Sequence, residues 1–367
     1  MECRFALTST RSMKCYASQV VEHLKKFPSF STLSGDIDHV NNLEVDRFAD
    51  GEMEVTVSAS LRGKDVFLFT SCARNEAGIP VEEAKIELYH AVDALKRAQA
   101  NSILVFEPFI SSSRSDRTIR RSSVGLWIHL KTLTSLGTDH ILTYQLHSDK
   151  SKSMLDPTVA YLEDIPALTL LKRRLCDVYI KDIETLKNFV RPNWAFCSVD
   201  AGGEKLARRF ANAFMAPLVV AHKQRDYSKP NTIESVNILS AEPLKGKVLW
   251  IIDDMIDTAG SVESLILALE KHQPAEVNIA AVHALFSDPA LERLTKLSSQ
   301  GFLNRIVVTD TVLCPDMLPK ELPLLEVVPS VELSAQIIGT LVTENPLGKI
   351  LESFNAERYL NKPRLII

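Results

Sequence analysis

Val248-Leu-Trp-Ile-Ile-Asp253-Asp254-Met-Ile-Asp257-Thr258-Ala259-Gly260-Ser261 is the stretch that decides the fold. Its apolar run, Val248–Ile252, has the length and branching of a buried strand. Two acids follow at once, then a short polar loop, and a helix-forming stretch opens at Ser261. A strand that feeds a tight loop and a helix is the building unit of a parallel α/β sheet. Backbone N–H groups at such a helix start lack intrahelical partners and point outward, where they bind anions. Thr258 and Ser261 add hydroxyl donors, Ser261 is a suitable N-cap, and Gly260 lets the loop close round an anion. Asp253 and Asp254 stand at the carboxyl end of the strand, where α/β sheets bind ligands. Their oxygens suit sugar hydroxyls or a magnesium-bound substrate. A bare pair of acids before a capped helix would be ordinary; the full acid–acid–x–x–acid–Thr–small–Gly–Ser order is more specific.

The same alternation extends in both directions. Trp194–Val199, Leu218–Ala221, Val277–Val282 and Ile306–Thr309 read as further strands, with helices over Glu204–Met215 and Ser261–His272. Val66–Thr70, Ile103–Phe106 and His140–Tyr144 repeat the theme earlier, separated by good helix formers from Val81 to Ala100. The expected class is therefore α/β, with two similar domains, each a mostly parallel sheet flanked by helices. Pro157 and Pro166 mark the junction. The expected division is 1–163, 164–331 and a helical tail, 332–367, packing back on the domains through Leu333, Ile337, Ile338 and Leu341.

Bulk composition narrows the function. The chain has 367 residues and a net charge of −4, without the global basic bias of a sequence-independent nucleic-acid binder. Its six cysteines form no CxxC pair, which reads as reduced thiols and not as a disulfide framework or zinc site. There is no apolar run of membrane-spanning length and no signal-peptide core, so the cytoplasm is the expected compartment. Glycine is scarce, at 13 residues, and four of them, Gly51, Gly202, Gly203 and Gly260, fall in candidate ligand loops.

The 253–261 string resembles the phosphoribosyl-diphosphate (PRPP) loop of the phosphoribosyltransferase fold. Further segments resemble the ribose-phosphate diphosphokinase family, which makes PRPP. Arg47-Phe48-Ala-Asp50-Gly51-Glu52 with Leu61-Arg62-Gly63-Lys64-Asp65-Val66, Ser113-Arg114-Ser115-Asp116-Arg117, Ser198-Val-Asp200-Ala-Gly202-Gly203 and His222-Lys223-Gln-Arg225 are each similar to that family's motifs, in family order. Ordinary phosphoribosyltransferases share the loop but not the Phe48–Glu52 and Arg114–Arg117 segments. The resemblance implies transfer of a diphosphoryl group from ATP to ribose 5-phosphate, with Mg²⁺. It assigns Phe48, Asp50, Glu52, Arg114, Ser115 and Asp116 to ATP, the first three reaching a neighbouring subunit. It assigns Arg225, Asp253, Asp254, Asp257, Thr258, Ala259, Gly260 and Ser261 to ribose 5-phosphate, and His147 and Asp200 to the metal. The residues themselves make sense of Lys223 and Arg225: placed after a strand and opening a polar loop, Asp226 to Glu234, they suit closure over a polyphosphate and stabilisation of its transition state. A homo-oligomer built on dimers, up to a hexamer, follows from the shared ATP site; no nucleic-acid or membrane partner is implied.

The pattern has departures. Gln145-Leu146-His147 stands where the family has Asp-Leu-His, Ala160 where an acid is common, Ser115 for a glutamine, and Ala284 for a glycine. Lys150 and Lys152 fall where the best-known class is regulated by phosphate and ADP. Two other readings therefore stand beside a synthetase. One is a non-catalytic regulatory homologue that assembles with an active enzyme, although such relatives lose the Lys-x-Arg pair and degrade the PRPP loop, both intact here. The other is a PRPP-consuming phosphoribosyltransferase.

Overall fold

Val66 and Leu68 face one way along their strand, and Phe67 and Phe69 the other, as a strand's twofold period requires. That alternation builds the first sheet. A computed structural model describes residues 5–27, 42–73, 75–118, 121–225, 233–312 and 319–361. The chain divides into two units, the first running to Pro166 and regaining Pro329–Leu351, the second spanning Ala167–Asp310 with a later strand and the end of the chain.

The first unit runs β1 (Phe5–Ser9), α1 (Lys14–Leu24), an antiparallel hairpin of β2 (Leu43–Arg47) and β3 (Met53–Val57), β4 (Asp65–Phe69), α2 (Val81–Arg97), β5 (Ser102–Phe106), α3 (Gly125–Leu136), β6 (His140–Tyr144) and β7 (Tyr161–Ile165). Its five-stranded sheet has the order β1-β4-β5-β6-β7, parallel throughout. Ala6, Val66, Leu68, Ile103 and Val105 form one core with Leu88, Ala91 and Val92 of α2 and Leu126, Leu130 and Leu133 of α3. The side chains that alternate with them make an aromatic row: Phe69 and Phe106 have centroids 5.1 Å apart, and Phe106 and Tyr144 5.3 Å. α2 carries Glu82 and Glu83 in its first turn and Lys96 and Arg97 in its last, matching its dipole.

The second unit continues with α4 (Leu168–Tyr179), β8 (Trp194–Ser198), α5 (Glu204–Phe214), β9 (Leu218–Arg225), β10 (Ile233–Ser240), β11 (Val248–Ile256), α6 (Gly260–Glu270), β12 (Glu276–Ala284), α7 (Ala290–Ser299), β13 (Arg305–Thr309) and β14 (Leu325–Val328). The seven-stranded sheet has the order β10-β9-β8-β11-β12-β13-β14, and only β10 is antiparallel. β11 is buried almost without interruption, as expected for a central strand of a parallel sheet. Trp250 on it packs on Trp194 and Tyr179, each at 5.7 Å. Beyond β14, α8 (Val331–Val342) returns to the first unit and packs on α1, while α9 (Ala356–Asn361) lies against α4 in the second.

The α/β class read from the sequence is the one adopted. Two strands run longer than their apolar cores suggest. β9 continues through the polar His222–Arg225, because β10 pairs with it, Lys223 opposite Val236 and Arg225 opposite Ile233. Lys223 and Arg225 thus lie on a strand backbone and not in a loop, and Glu234 belongs to β10. β11 continues past both acids to Ile256 against β12. No described helix is long and apolar enough to cross a membrane.

Candidate active site

In the second unit the chain passes from β8 outward to β9 and β10, then returns to the other side of β8 with β11. The carboxyl ends of β8 and β11 are therefore a topological switch point, where open α/β sheets form a crevice. β8 pairs with β11 only as far as Ser198 opposite Ile252. Asp253 is the first residue beyond that pairing, still held on its other side by Ala281 of β12. Asp254 is buried and Asp253 half-buried, and the Asp254 N–H donates to Asp253 Oδ1 at 3.0 Å. Burial and the neighbouring Asp254 carboxylate push the Asp253 pKa well above the carboxylate range, and Asp200 beyond β8 adds to the effect.

Asp200 also organises its own loop. Its Oδ1 accepts the N–H groups of Gly202 and Gly203, at 2.9 and 3.0 Å, just before α5 begins. After β11, Asp257 and Thr258 lead into Ala259, which holds a left-handed backbone (φ 58°) and caps α6. Ser261 is therefore inside the helix and not the N-cap that its residue type suggests; the turn is made by Ala259. A non-glycine residue in this region is a strained one, and strain of this kind gathers at ligand loops. Gly260 serves close approach: a Cβ there would come within 2.8 Å of Arg293 Nη1. Arg293, on α7, donates to the Thr258 carbonyl at 2.9 Å and pairs with Glu263 at 3.2 Å. This brace was missed in the sequence, where Arg293 is one basic residue on an amphipathic helix. The side chains of Lys223 and Arg225, and the loop 226–232, lie outside the described residues.

The first unit carries the remaining candidates. Phe48, Asp50 and Glu52 sit in the turn of the β2–β3 hairpin, as their spacing suggests, with Phe48 53 % exposed. The turn closes through Phe48 N–H to the Glu52 carbonyl and Gly51 N–H to the Phe48 carbonyl, both 2.9 Å, with Gly51 at φ 94°. Arg47 donates to the Gly51 carbonyl at 2.7 Å and pairs with Glu83 of α2. Arg114, Ser115 and Asp116 lie between β5 and α3, beside a cleft of about 500 Å³ lined by Asp116, Arg117, Trp127 and Met154. Ser115 fastens this loop to α3, because its Oγ accepts the Gly125 N–H at 2.9 Å. His147 is exposed, three residues past β6. Gln145 and Ala160 are buried, at 5 % and 1 % exposure. A neutral residue at each avoids burying a charge. No group of three or more His, Cys, Asp or Glu among the described residues is arranged to hold a metal.

A switch-point crevice with an acid pair, a strained turn and a helix N-terminus is the ligand-binding end of an open α/β sheet, suited to an anionic sugar phosphate. Comparison with known proteins agrees: residues 163–300 match the phosphoribosyl transferase domain, and residues 5–137 the N-terminal domain of ribose phosphate pyrophosphokinase. The ribose-phosphate pyrophosphokinase of Fusobacterium nucleatum is 34 % identical over 274 residues, 74 % of this chain and 79 % of that one. That of Corynebacterium ammoniagenes is 32 % identical over 74 % of this chain and 78 % of its own. The crystal structure of phosphoribosylpyrophosphate synthetase from Mycobacterium smegmatis superposes with a TM-score of 0.76 at 25 % identity, covering 93 % of this chain and all of that one. The chain belongs to the ribose-phosphate pyrophosphokinase family.

Proposed function

We infer that this chain is a ribose-phosphate pyrophosphokinase, transferring the diphosphoryl group of ATP to the 1-hydroxyl of ribose 5-phosphate to give PRPP and AMP. The observation that carries this is the match of residues 5–137 to the N-terminal pyrophosphokinase domain, in addition to the phosphoribosyl transferase domain. A PRPP-consuming transferase needs only the second.

The 1-hydroxyl oxygen attacks the β-phosphorus, its proton leaves, and the bond to the α-phosphate oxygen breaks to release AMP. Such chemistry asks for positioning and charge stabilisation more than for covalent help. The α6 N-terminus with Asp257, Thr258, Ala259, Gly260 and Ser261 holds the 5-phosphate, and Asp253 and Asp254 orient the ribose hydroxyls. Phe48 stacks on the adenine, Asp50 and Glu52 accept hydrogen bonds from the nucleotide, and Arg114, Ser115 and Asp116 hold it. Lys223 and Arg225 stabilise charge in the transition state. The hairpin's exposed Phe48 supports its use by a neighbouring copy, hence a homo-oligomer.

Magnesium fits the donor chemistry: burial first, and then the neighbouring Asp254 and Asp200 carboxylates, disfavour a charged Asp253, and carboxylate oxygens so placed are what a hard dication takes. Asp200 or His147 would hold it, Asp200 in the second unit and His147 in the first. When bound, the ion offsets charge on the transferred diphosphate. The cytoplasm is the compartment where this reading places the enzyme.

The test is an AMP-release assay of the purified chain with ATP, Mg²⁺ and ribose 5-phosphate. AMP is expected only when ribose 5-phosphate is present. No such AMP from the chain alone, with stimulation of an active partner, would overturn the reading in favour of a regulatory homologue; base-dependent diphosphate release from PRPP would favour a transferase.

A further inference from the structure

Glu107 follows β5 directly and has no exposed surface. A buried carboxylate is tolerated only where donors meet its oxygens. Two donors do so. The Ser111 N–H donates to Oε1 at 3.0 Å, and His129 Nε2 donates to Oε2 at 2.9 Å. His129, on α3, is 1 % exposed, and its Nδ1 is hydrogen-bonded with Tyr89 Oη of α2 at 2.9 Å.

The chain Tyr89–His129–Glu107–Ser111 thus ties two helices to the main chain at the root of the loop that carries Arg114. Other contacts hold the same loop. Lys85 Nζ donates to Ser112 Oγ at 3.1 Å, and the Ser115 N–H donates to the Ser112 carbonyl at 2.8 Å. Ser112 keeps a left-handed backbone (φ 62°), which persists only where the surroundings impose it. Apolar side chains of similar volume would fill this space at less cost to stability. A fully satisfied polar chain does something they do not: it specifies one arrangement of the segment it holds.

We propose that Glu107 and His129 are positioning residues whose buried hydrogen-bond chain sets the pitch of the β5–α3 loop, and through Arg114 and Asp116 sets the affinity for the nucleotide rather than for ribose 5-phosphate. The proposal rests on the reading of that loop as a nucleotide-binding segment. Initial-rate kinetics of the full chain with ATP, Mg²⁺ and ribose 5-phosphate test it, with thermal melting as the check on folding. Glu107→Leu removes the acceptors for Ser111 and His129, and should raise the KM for ATP about tenfold while the KM for ribose 5-phosphate stays within about twofold. Glu107→Gln keeps an acceptor for the Ser111 N–H, and its amide donates to His129 in the other tautomer, so it should restore the KM for ATP to within about threefold of the parent. Where Glu107→Leu fails to fold, His129→Phe severs the link to Tyr89 and leaves Ser111 bound; a rise of about threefold to fivefold in the KM for ATP alone is expected. A folded Glu107→Leu or His129→Phe with unchanged KM for ATP, or with both KM values moved equally, overturns the proposal. Arg114→Ala separates the two levels: if it leaves the KM for ATP unchanged, the loop is not a nucleotide segment and the proposal falls with that reading.

Discussion

Tyr144 Oη and Ser334 Oγ lie 2.6 Å apart, both buried, and join positions 190 residues apart in sequence. Tyr16 Oη lies 2.7 Å from the same Ser334 oxygen and 2.7 Å from Ser330 Oγ. α8 is thereby keyed to β6 and α1 by hydroxyls as well as by apolar contact. Removing one partner of a buried hydrogen bond costs more than removing both. Ser334→Ala should therefore lower stability by about 1–3 kcal/mol, and the double variant Ser334→Ala with Tyr144→Phe should lose less than the sum of the two single losses. Urea midpoints measure both; strict additivity would show that the pair is not coupled.

Arg47 fixes the hairpin turn. With its hold on the Gly51 carbonyl and on Glu83 removed, the turn that presents Phe48 loses its reference to α2. Arg47→Ala should raise the KM for ATP by about fivefold with little change in melting temperature. A KM that does not move would sever the hairpin from nucleotide binding.

Arg293 and Gly260 share one space. Gly260→Ala sets a methyl 2.8 Å from Arg293 Nη1 and displaces the guanidinium from the Thr258 carbonyl. Both Gly260→Ala and Arg293→Met should weaken use of ribose 5-phosphate about tenfold, with the KM for ATP little affected. An effect confined to ATP would place the phosphate loop elsewhere.

The Asp253 and Lys223 assignments separate in kinetics. Asp253→Asn should act mainly on ribose 5-phosphate, whereas Lys223→Ala should lower kcat by about two orders of magnitude or more with a smaller change in KM, as expected for a group acting in the transition state. An unchanged kcat in Lys223→Ala removes that residue from the chemistry.

Lys172 gives a pH signature to stability. It is 6 % exposed on α4, with its ammonium 5.0 Å from the Phe210 ring centroid. Burial, aided by the nearby Arg209, pulls its pKa from the usual 10.5 down to about 8. The unfolded chain therefore binds more protons between those values, and this residue's contribution to stability rises with pH across the window, its penalty being complete below it. Lys172→Met should be more stable than the parent at pH 7 by about 1–3 kcal/mol, and the gap should narrow above about pH 8 and close above 10.5. A Met variant less stable at neutral pH would mean that the contact with Phe210 outweighs desolvation.

Local pattern carried much of this in the sequence. The run Val248–Ser261 declares strand, acids, turn and helix because each step is a local preference, and the β2–β3 turn is equally plain from Asp50-Gly51. What stayed hidden is pairing at a distance. β9 reads as ending at Ala221 because His222–Arg225 is polar, yet β10 supplies its partner. Ala259 takes the left-handed turn that a glycine would fill more readily, so Gly260 draws attention to the wrong backbone angle. Arg293, Glu107 and His129 look like ordinary charged residues until the fold brings their partners up, since nothing in their neighbours announces a contact far along the chain.

α8 has a bearing on how the molecule comes into being. It is translated after every strand of the second unit, yet it completes the first. A nascent chain released only as far as Pro166 carries α1 and Tyr144 without the helix that packs on the one and bonds the other through Ser334, an aggregation hazard during synthesis. The two units are consequently not separable by cutting at their junction. A circular permutant that moves Pro329–Leu351 ahead of Phe5 would let the first unit mature before the second is made.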